Sequence, residues 1–314
     1  MGRHLMITDA ELSVLEREIL QTIAYFDVFS YPLTKSQLHA FLAHVETTEV
    51  QLEKALQVLF TKHLIQSSRG YFYSSTRTDE LVTERLENER RASKMLKQAR
   101  RVSFFLKHVP FVRAVFITGS LSKHVAPKKS DIDFMIIAEL NRLWICKMIL
   151  TGFRRIFLFN SKKYFCINLM VTEKAIYFPE HNYFTAIEIA TTQVFWNTAA
   201  FLKYQTENAW IRQYLPNWHL QTDGAAPLSN TPSPLQRIIE SILNRLQLDA
   251  LNSNLMHTAR NFWRKKHKEM DENKFNSIIQ CTPDISSVWH DDHQTQIQDI
   301  FHQRLAAFGI REAA

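Results

Sequence analysis

Glycine is scarce in this chain: six residues in 314, at positions 2, 70, 119, 152, 224 and 309. Folds that wrap phosphates in a glycine-rich turn need several glycines together between a strand and a helix. No such cluster is present, which argues against dinucleotide-binding and P-loop folds. Cysteine is rarer still. Cys146, Cys166 and Cys281 lie far apart, too few for a disulfide scaffold and without metal-ligand spacing, so a reducing cytoplasm is the expected compartment. Long apolar runs are also lacking. The best candidate, RLWICKMILTGFRRIFLF at 142–159, is interrupted by Lys147, Arg154 and Arg155, and reads as a buried helix with a basic end rather than a membrane span. The opening MGRHLMITDAELS holds no apolar stretch of a secretory signal, and no membrane association is expected. No Ser/His/Asp arrangement or activated cysteine stands out, and none of the thirteen histidines forms an HExxH pair.

What is present suits a globular protein. Apolar residues make up 46% of the chain, and the length allows two or three domains with a sizeable core. The net charge of +7 is unevenly spread, with residues 1–76 at −2 and the remainder at +9. A basic excess in the larger part suits a phosphate-bearing partner, and suits a generic soluble surface equally well.

The N-terminal segment carries three capping-box patterns, Thr8-x-x-Glu11, Thr34-x-x-Gln37 and Thr48-x-x-Gln51. Each precedes an apolar stripe at helical spacing, the first being Leu12, Leu15, Ile19, Ile23 and Phe26. LIQSSRGYFYSS at 64–75 reads as two strands around an Arg69-Gly70 turn. Three helices and a hairpin are the layout of a winged helix over 1–76. Its third helix leaves Glu49, Glu53, Lys54, Gln57 and Lys62 for solvent, few cations for neutralising phosphates. A protein-contact or structural module is preferred there, with DNA binding through the wing as the alternative.

Residues 77–109 then form a charged connecting helix, supported by acidic and basic neighbours at i,i+4 spacing. The segment 110–175 reads as a small α/β core: strands at 113–119, 131–138 and 164–171, with a helix from Asn141 to about Phe157. The region 176–314 is expected to be mainly helical, with a loop at 215–234. HDDH at 290–293 is better explained as the start of a helix than as a metal cluster. RKKHK at 264–268 is better explained as a solvated face than as a phosphate site. Arg154, Arg155, Lys162 and Lys163 are better placed to meet a polyphosphate. Glu188, inside the apolar TAIEIATT, has no assigned role.

The chemistry concentrates in VFITGSLSKHVAPKKSDIDFMII, residues 115–137. In a strand, residues i and i+2 share a face, so Asp131 and Asp133 project side by side, opposite Ile132 and Phe134. Paired carboxylates resist burial unless a cation sits over them, and Mg2+ (or Mn2+) is the natural one because it takes hard oxygen ligands and keeps substrate phosphates among them. Gly119 lets the backbone approach a ligand, and Ser120 offers a hydroxyl and an N–H. The same loop holds Ser122, Lys123, His124, Lys128, Lys129 and Ser130.

This unit resembles the signature of the DNA polymerase β-type nucleotidyltransferase superfamily: an apolar strand, Gly-Ser, a spacer of about ten residues, then Asp-x-Asp within an apolar strand. The resemblance implies that Gly119 and Ser120 bind the phosphates of a nucleoside triphosphate, with Ser122, Lys123 and Ser130 beside them, and that Asp131 and Asp133 hold the metal. It also implies a third carboxylate on a neighbouring strand. The strand available is FCINLMV, where the polar residue is Asn168. Asn168 ligates through its carbonyl oxygen or serves as a satisfied core amide, while Glu139 and Glu173 near the strand ends are substitutes. The expected protein is therefore α+β: a small mixed β-sheet nucleotidyltransferase core, an N-terminal winged-helix unit and a helical C-terminal part. Its expected reaction moves a nucleoside monophosphate from a triphosphate to the hydroxyl of a small molecule, a protein or an RNA. A non-catalytic nucleotide-binding protein and a DNA-binding regulator are the alternatives.

Overall fold

The computed structural model describes residues 12–157, 161, 163–220, 231–288 and 293–310. The chain begins with α1 (Val14–Val28), β1 (Leu33–Thr34), α2 (Lys35–Phe41), α3 (Glu49–Thr61), β2 (Ile65–Ser68) and β3 (Tyr71–Ser74). The threonine caps form as their spacing predicts. Thr34 and Thr48 each accept the N–H of the third helical residue, and Gln37 and Gln51 reach back to complete the box. The Thr8 pattern lies outside the described residues; α1 is capped by Ser13, whose side chain accepts from the Glu16 N–H. The sequence indicates two strands here and the structure adds a third. Leu33, 1% exposed, pairs antiparallel with Phe72, giving a three-stranded sheet in the order β1-β3-β2.

The 27-residue α4 (Glu80–Leu106) leads into β4 (Val112–Ile117), the single turn α5 (Gly119–Ser122), β5 (Asp133–Ala138), α6 (Leu143–Phe157) and β6 (Cys166–Thr172). After these come α7 (Tyr183–Thr191), β7 (Gln193–Trp196), α8 (Thr198–Glu207), α9 (Ile211–Tyr214), α10 (Pro234–Leu243), α11 (Leu248–Lys266) and α12 (Glu272–Ile278). The described part ends with β8 (Ile279–Cys281), β9 (Ile285–Val288) and α13 (His293–Ala306).

The second sheet is mixed, in the order β7-β4-β5-β6-β9-β8, with β5 and β6 parallel and every other neighbouring pair antiparallel. It does not end with the three strands expected at 110–175. Three short strands from the C-terminal region, β7, β8 and β9, extend it on both sides. Strands of three or four residues leave too little alternation to read locally; pairing with longer strands is what makes them strands.

Alternation sets the layers. Val115, Ile117, Phe134, Ile136 and Ala138 turn to one face and pack with α4, α6, α11 and α12. Ala114, Phe116, Met135, Ile137, Leu169 and Val171 turn to the other, in one continuous core with the N-terminal unit, α7, α8 and α13. The N-terminal unit is therefore built into the molecule. Tyr25 meets Tyr183 edge-on at 4.9 Å, and the Tyr31 hydroxyl donates to the Lys123 carbonyl at 2.9 Å.

One buried acid ties α1 to α13. Asp27, 3% exposed in its side chain, lies 3.0 Å from Arg77 Nε and 2.9 Å from Arg304 Nε. Burial pushes its carboxyl up in pKa while the two arginines pull it down. Asp27→Ala leaves both guanidinium groups without their anion. Removing one partner of a buried pair costs about 3 kcal/mol or more; with both arginines partly exposed the expected loss is about 2 kcal/mol, read as a lower urea midpoint. An unchanged midpoint would show that the contact contributes nothing. Among the described residues, no helix is long and apolar enough to cross a membrane.

Candidate functional site

The site begins where β4 ends. Thr118 is still extended and its N–H donates to the Asp133 carbonyl at 3.0 Å. Gly119 then turns the chain with φ +69°, in the left-handed region. A Cβ on Gly119 would lie 2.7 Å from Asp133 Oδ2, so the bare backbone forms one wall against that carboxylate. This close approach accounts for one of the chain's few glycines.

The loop after Gly119 is fixed from several sides. The Ser122 hydroxyl, on a residue 3% exposed, donates to the Gly119 carbonyl at 2.8 Å. Lys123 Nζ donates to the same carbonyl at 3.2 Å and to Glu188 Oε1 at 2.7 Å. Gln193 Nε2 donates to the Ser122 carbonyl at 2.6 Å. From α4, Arg91 Nε donates to the Ala126 carbonyl and the Ala126 N–H to the Asn88 carbonyl. Ser122 thus faces inward as a brace, while Ser120 stays half-buried at the turn. Ser130, just before the aspartates, is half-buried with its hydroxyl 4.0 Å from Met95 Sδ.

Asp131 precedes β5 and Asp133 opens it. The chain is already in sheet hydrogen bonding between them: the Ile132 N–H donates to Lys163 and its carbonyl accepts from Cys166. Alternation holds as expected. Ile132 and Phe134 are fully buried, and both aspartates are half-buried, Asp133 on the face shared with Met135 and Ile137. The Asp133 carboxyl is pushed up to about 6, chiefly by burial. The charges of Asp131 and Glu188 add to the rise, and a hydrogen bond from the Cys166 side chain and the charge of Lys123 oppose it.

The candidates for a third carboxylate separate clearly. β5 and β6 run parallel, with Asp133 opposite Cys166 and Ala138 opposite Thr172. Glu139 and Glu173 therefore sit at the far end of the sheet, about 20 Å from Asp133 at the usual rise per residue. There Glu139 pairs with Arg113, and Glu173 with Lys203 at 3.2 Å. Asn168 is near the right end, but it is the extra residue where the register shifts between Phe134↔Ile167 and Met135↔Leu169, a bulge in β6. It is half-buried.

The acid that does approach Asp133 is Glu188, brought by α7 over the same sheet face. A lone carboxylate in an apolar helix signals an unseen partner, because burying it unpaired is costly; that the partner is Lys123, 65 residues earlier, no local pattern reveals. Lys163 borders the site through its backbone contact with Ile132. Arg154 and Arg155 lie in the last turn of α6, which leads toward this end of β6; Lys162 lies outside the described residues. RKKHK ends α11, where Arg264 binds the Met270 carbonyl and Glu272, a tie to the next helix. In HDDH, residues 290–292 lie outside the described residues and His293 opens α13.

Among the described residues, no group of three or more His, Cys, Asp or Glu side chains is arranged to hold a metal ion. Mg2+ is usually bound by one or two carboxylates with waters and substrate phosphates as the rest, and Asp131 and Asp133 offer that minimal set. Comparison with known proteins returned no matching family model, no matching curated protein and no matching solved structure.

Proposed function

We propose that this protein is a metal-dependent nucleotidyltransferase, moving a nucleoside monophosphate from a nucleoside triphosphate to an acceptor hydroxyl. The observation that carries the reading is the close approach of Asp133 to Gly119: the turn expected to take phosphates and the carboxylate expected to take a metal lie so near that a Cβ at Gly119 would come within 2.7 Å of Oδ2. In this reading the sheet with α5 is a nucleotidyltransferase core. Asp131 and Asp133 hold Mg2+ or Mn2+, which when bound neutralises phosphate charge.

The chain's own groups do the rest. Gly119 and Ser120 present backbone and hydroxyl to the phosphates, and Lys123 supplies positive charge beside them. Buried Ile132 and Phe134 anchor the strand that carries the two aspartates, so the carboxylates keep their places as substrate arrives. The acceptor oxygen forms the new bond to the α-phosphorus as its proton passes to water, and pyrophosphate leaves with the electrons of the broken P–O bond.

The N-terminal unit is read as a winged helix serving protein contact and support. The outward face of α3 shows Glu49 and Glu53 beside Lys54, and Lys62 is held by Glu16 at 2.9 Å, which leaves little to attract a nucleic acid. A reducing cytoplasm is read for the protein from its three widely spaced cysteines, Cys146, Cys166 and Cys281.

Calorimetric titration of the four nucleoside triphosphates, with Mg2+ and with EDTA, tests the reading alongside pyrophosphate release over a panel of hydroxyl acceptors. Binding that requires Mg2+ and pyrophosphate release are expected. Binding indifferent to EDTA, or none, would sink the assignment. Asn168 favours a second reading, a nucleotide-binding protein without turnover, because an amide is uncharged and cannot accept the acceptor's proton. Mg2+-dependent binding with no pyrophosphate from any acceptor would select it.

A further inference from the structure

The pair formed by Lys123 and Glu188 lies inside the proposed phosphate site. Lys123 caps the C-terminal end of α5, its side chain is 13% exposed, and that of Glu188 is 32% exposed. An ammonium has three donors. One goes to the Gly119 carbonyl at 3.2 Å and one to Glu188 at 2.7 Å. The Gly119 bond ties the cation to the turn that would receive the phosphates. The Glu188 bond consumes the charge such a ligand would use.

The charge balance makes this pairing consequential. Asp131, Asp133 and Glu188 are three carboxylates around one end of the sheet, and Lys123 is the cation that faces Asp133 among them. A polyphosphate entering here meets these three carboxylates, with Lys163 at the border of the site, and a lysine already engaged. Glu188 itself is held by the helix that carries it. Its neighbours Ala186, Ile187 and Ile189 are buried in the sheet-face core, and its carbonyl accepts from the Thr192 hydroxyl at 2.8 Å. Lys123 has the longer, more flexible stem of the two, so in any exchange the lysine is the group that moves.

We propose that Glu188 is an internal competitor for polyphosphate: it holds Lys123 in the ligand-free protein, and Lys123 exchanges Glu188 for a phosphate oxygen when a polyphosphate settles on Gly119 and Ser120. The inference rests on the nucleotidyltransferase reading of this loop and adds the residue that sets its affinity for phosphates. No bond is made or broken in the exchange; one ion pair replaces another.

A competitor and a structural brace predict opposite signs. The probe is inorganic tripolyphosphate, titrated by calorimetry without metal and again with Mg2+. Glu188→Gln keeps the side chain's shape and removes its charge. A competitor predicts about fivefold tighter tripolyphosphate binding in this variant, the lower end of coupling between sites. Lys123→Met should weaken binding about tenfold, and the double variant should match Lys123→Met, because the gain from Glu188→Gln needs the lysine it frees. Unchanged or weaker binding in Glu188→Gln overturns the proposal, as does a gain that persists beside Lys123→Met. If the wild type binds nucleotide with Mg2+ while Glu188→Gln changes nothing, the competitor falls and the nucleotidyltransferase reading stands. If neither wild type nor Glu188→Gln binds either probe, both fall.

Discussion

Asp133→Asn is expected to give a protein that is inactive and more stable. The carboxyl of Asp133 holds its proton up to about pH 6, against an ordinary value of 3.8. The folded state therefore binds this proton more tightly than the unfolded chain does. The sign follows from linkage: between about pH 4 and pH 6 stability falls as pH rises, and above that the penalty for the buried, crowded charge is fully present. Asparagine keeps the shape, still accepts a hydrogen bond from Cys166, and carries no charge to bury. A tenfold change in proton affinity on folding corresponds to about 1.4 kcal/mol. Because the carboxyl is only half-buried, solvent screens much of that, and a gain on the order of 1 kcal/mol is expected at pH 8.

Calorimetric melting should show Asp133→Asn above the wild type by roughly 2 °C at pH 8 and level with it near pH 4. Pyrophosphate release should fall by about 10^3-fold or more, the loss of roughly 4 kcal/mol of transition-state stabilisation. A variant that melts below the wild type at pH 8 would show that the ionised carboxylate stabilises the fold, contrary to its surroundings. Stability given up at a site in exchange for activity is a common pattern where like charges are held together.

Gly119→Ala has the second large effect, and its cause is steric. The new Cβ would lie 2.7 Å from Asp133 Oδ2, closer than such atoms approach. The loop has little freedom to retreat, because the Thr118 N–H is bonded to the Asp133 carbonyl and the Gly119 carbonyl is held by Ser122 and Lys123. The Asp133 side chain must turn away from Gly119 instead. Mg2+-dependent triphosphate binding should weaken by about 100-fold, a loss of roughly 3 kcal/mol, measured by titration.

Backbone strain contributes separately, since alanine in a left-handed conformation costs about 1 kcal/mol. Gly70 provides the control. It has φ +83°, and a Cβ added there would meet open space, so Gly70→Ala should lose similar stability and keep full nucleotide affinity. Equal affinity in Gly119→Ala and wild type would remove the contact with Asp133 from the site's requirements.

Much of the fold was legible locally. The boxes at Thr34 and Thr48 set helix starts because cap and partner lie three residues apart. The runs around 113–119 and 131–138 announced strands through β-branched and aromatic residues, and β4 and β5 form there. The Gly-Ser turn and the aspartates stood out because they interrupt that apolar pattern, and two consecutive antiparallel strands bring them together.

The remainder depended on pairing across long separations. The parallel course of β5 and β6 sends Glu139 and Glu173 to the far end of the sheet and leaves Asn168 on a bulge. Docking of α7 on the sheet face brings Glu188 to Lys123, and seating of the N-terminal unit puts Tyr31 on the loop that follows Gly119. The sequence by itself determined the helix caps, the two central strands and the turn with its paired aspartates, because each is written within a few residues and follows from backbone geometry and alternation. Only the tertiary structure decided which further charges share that turn, because strand direction and helix docking are settled by burial of the whole core rather than by any local spacing.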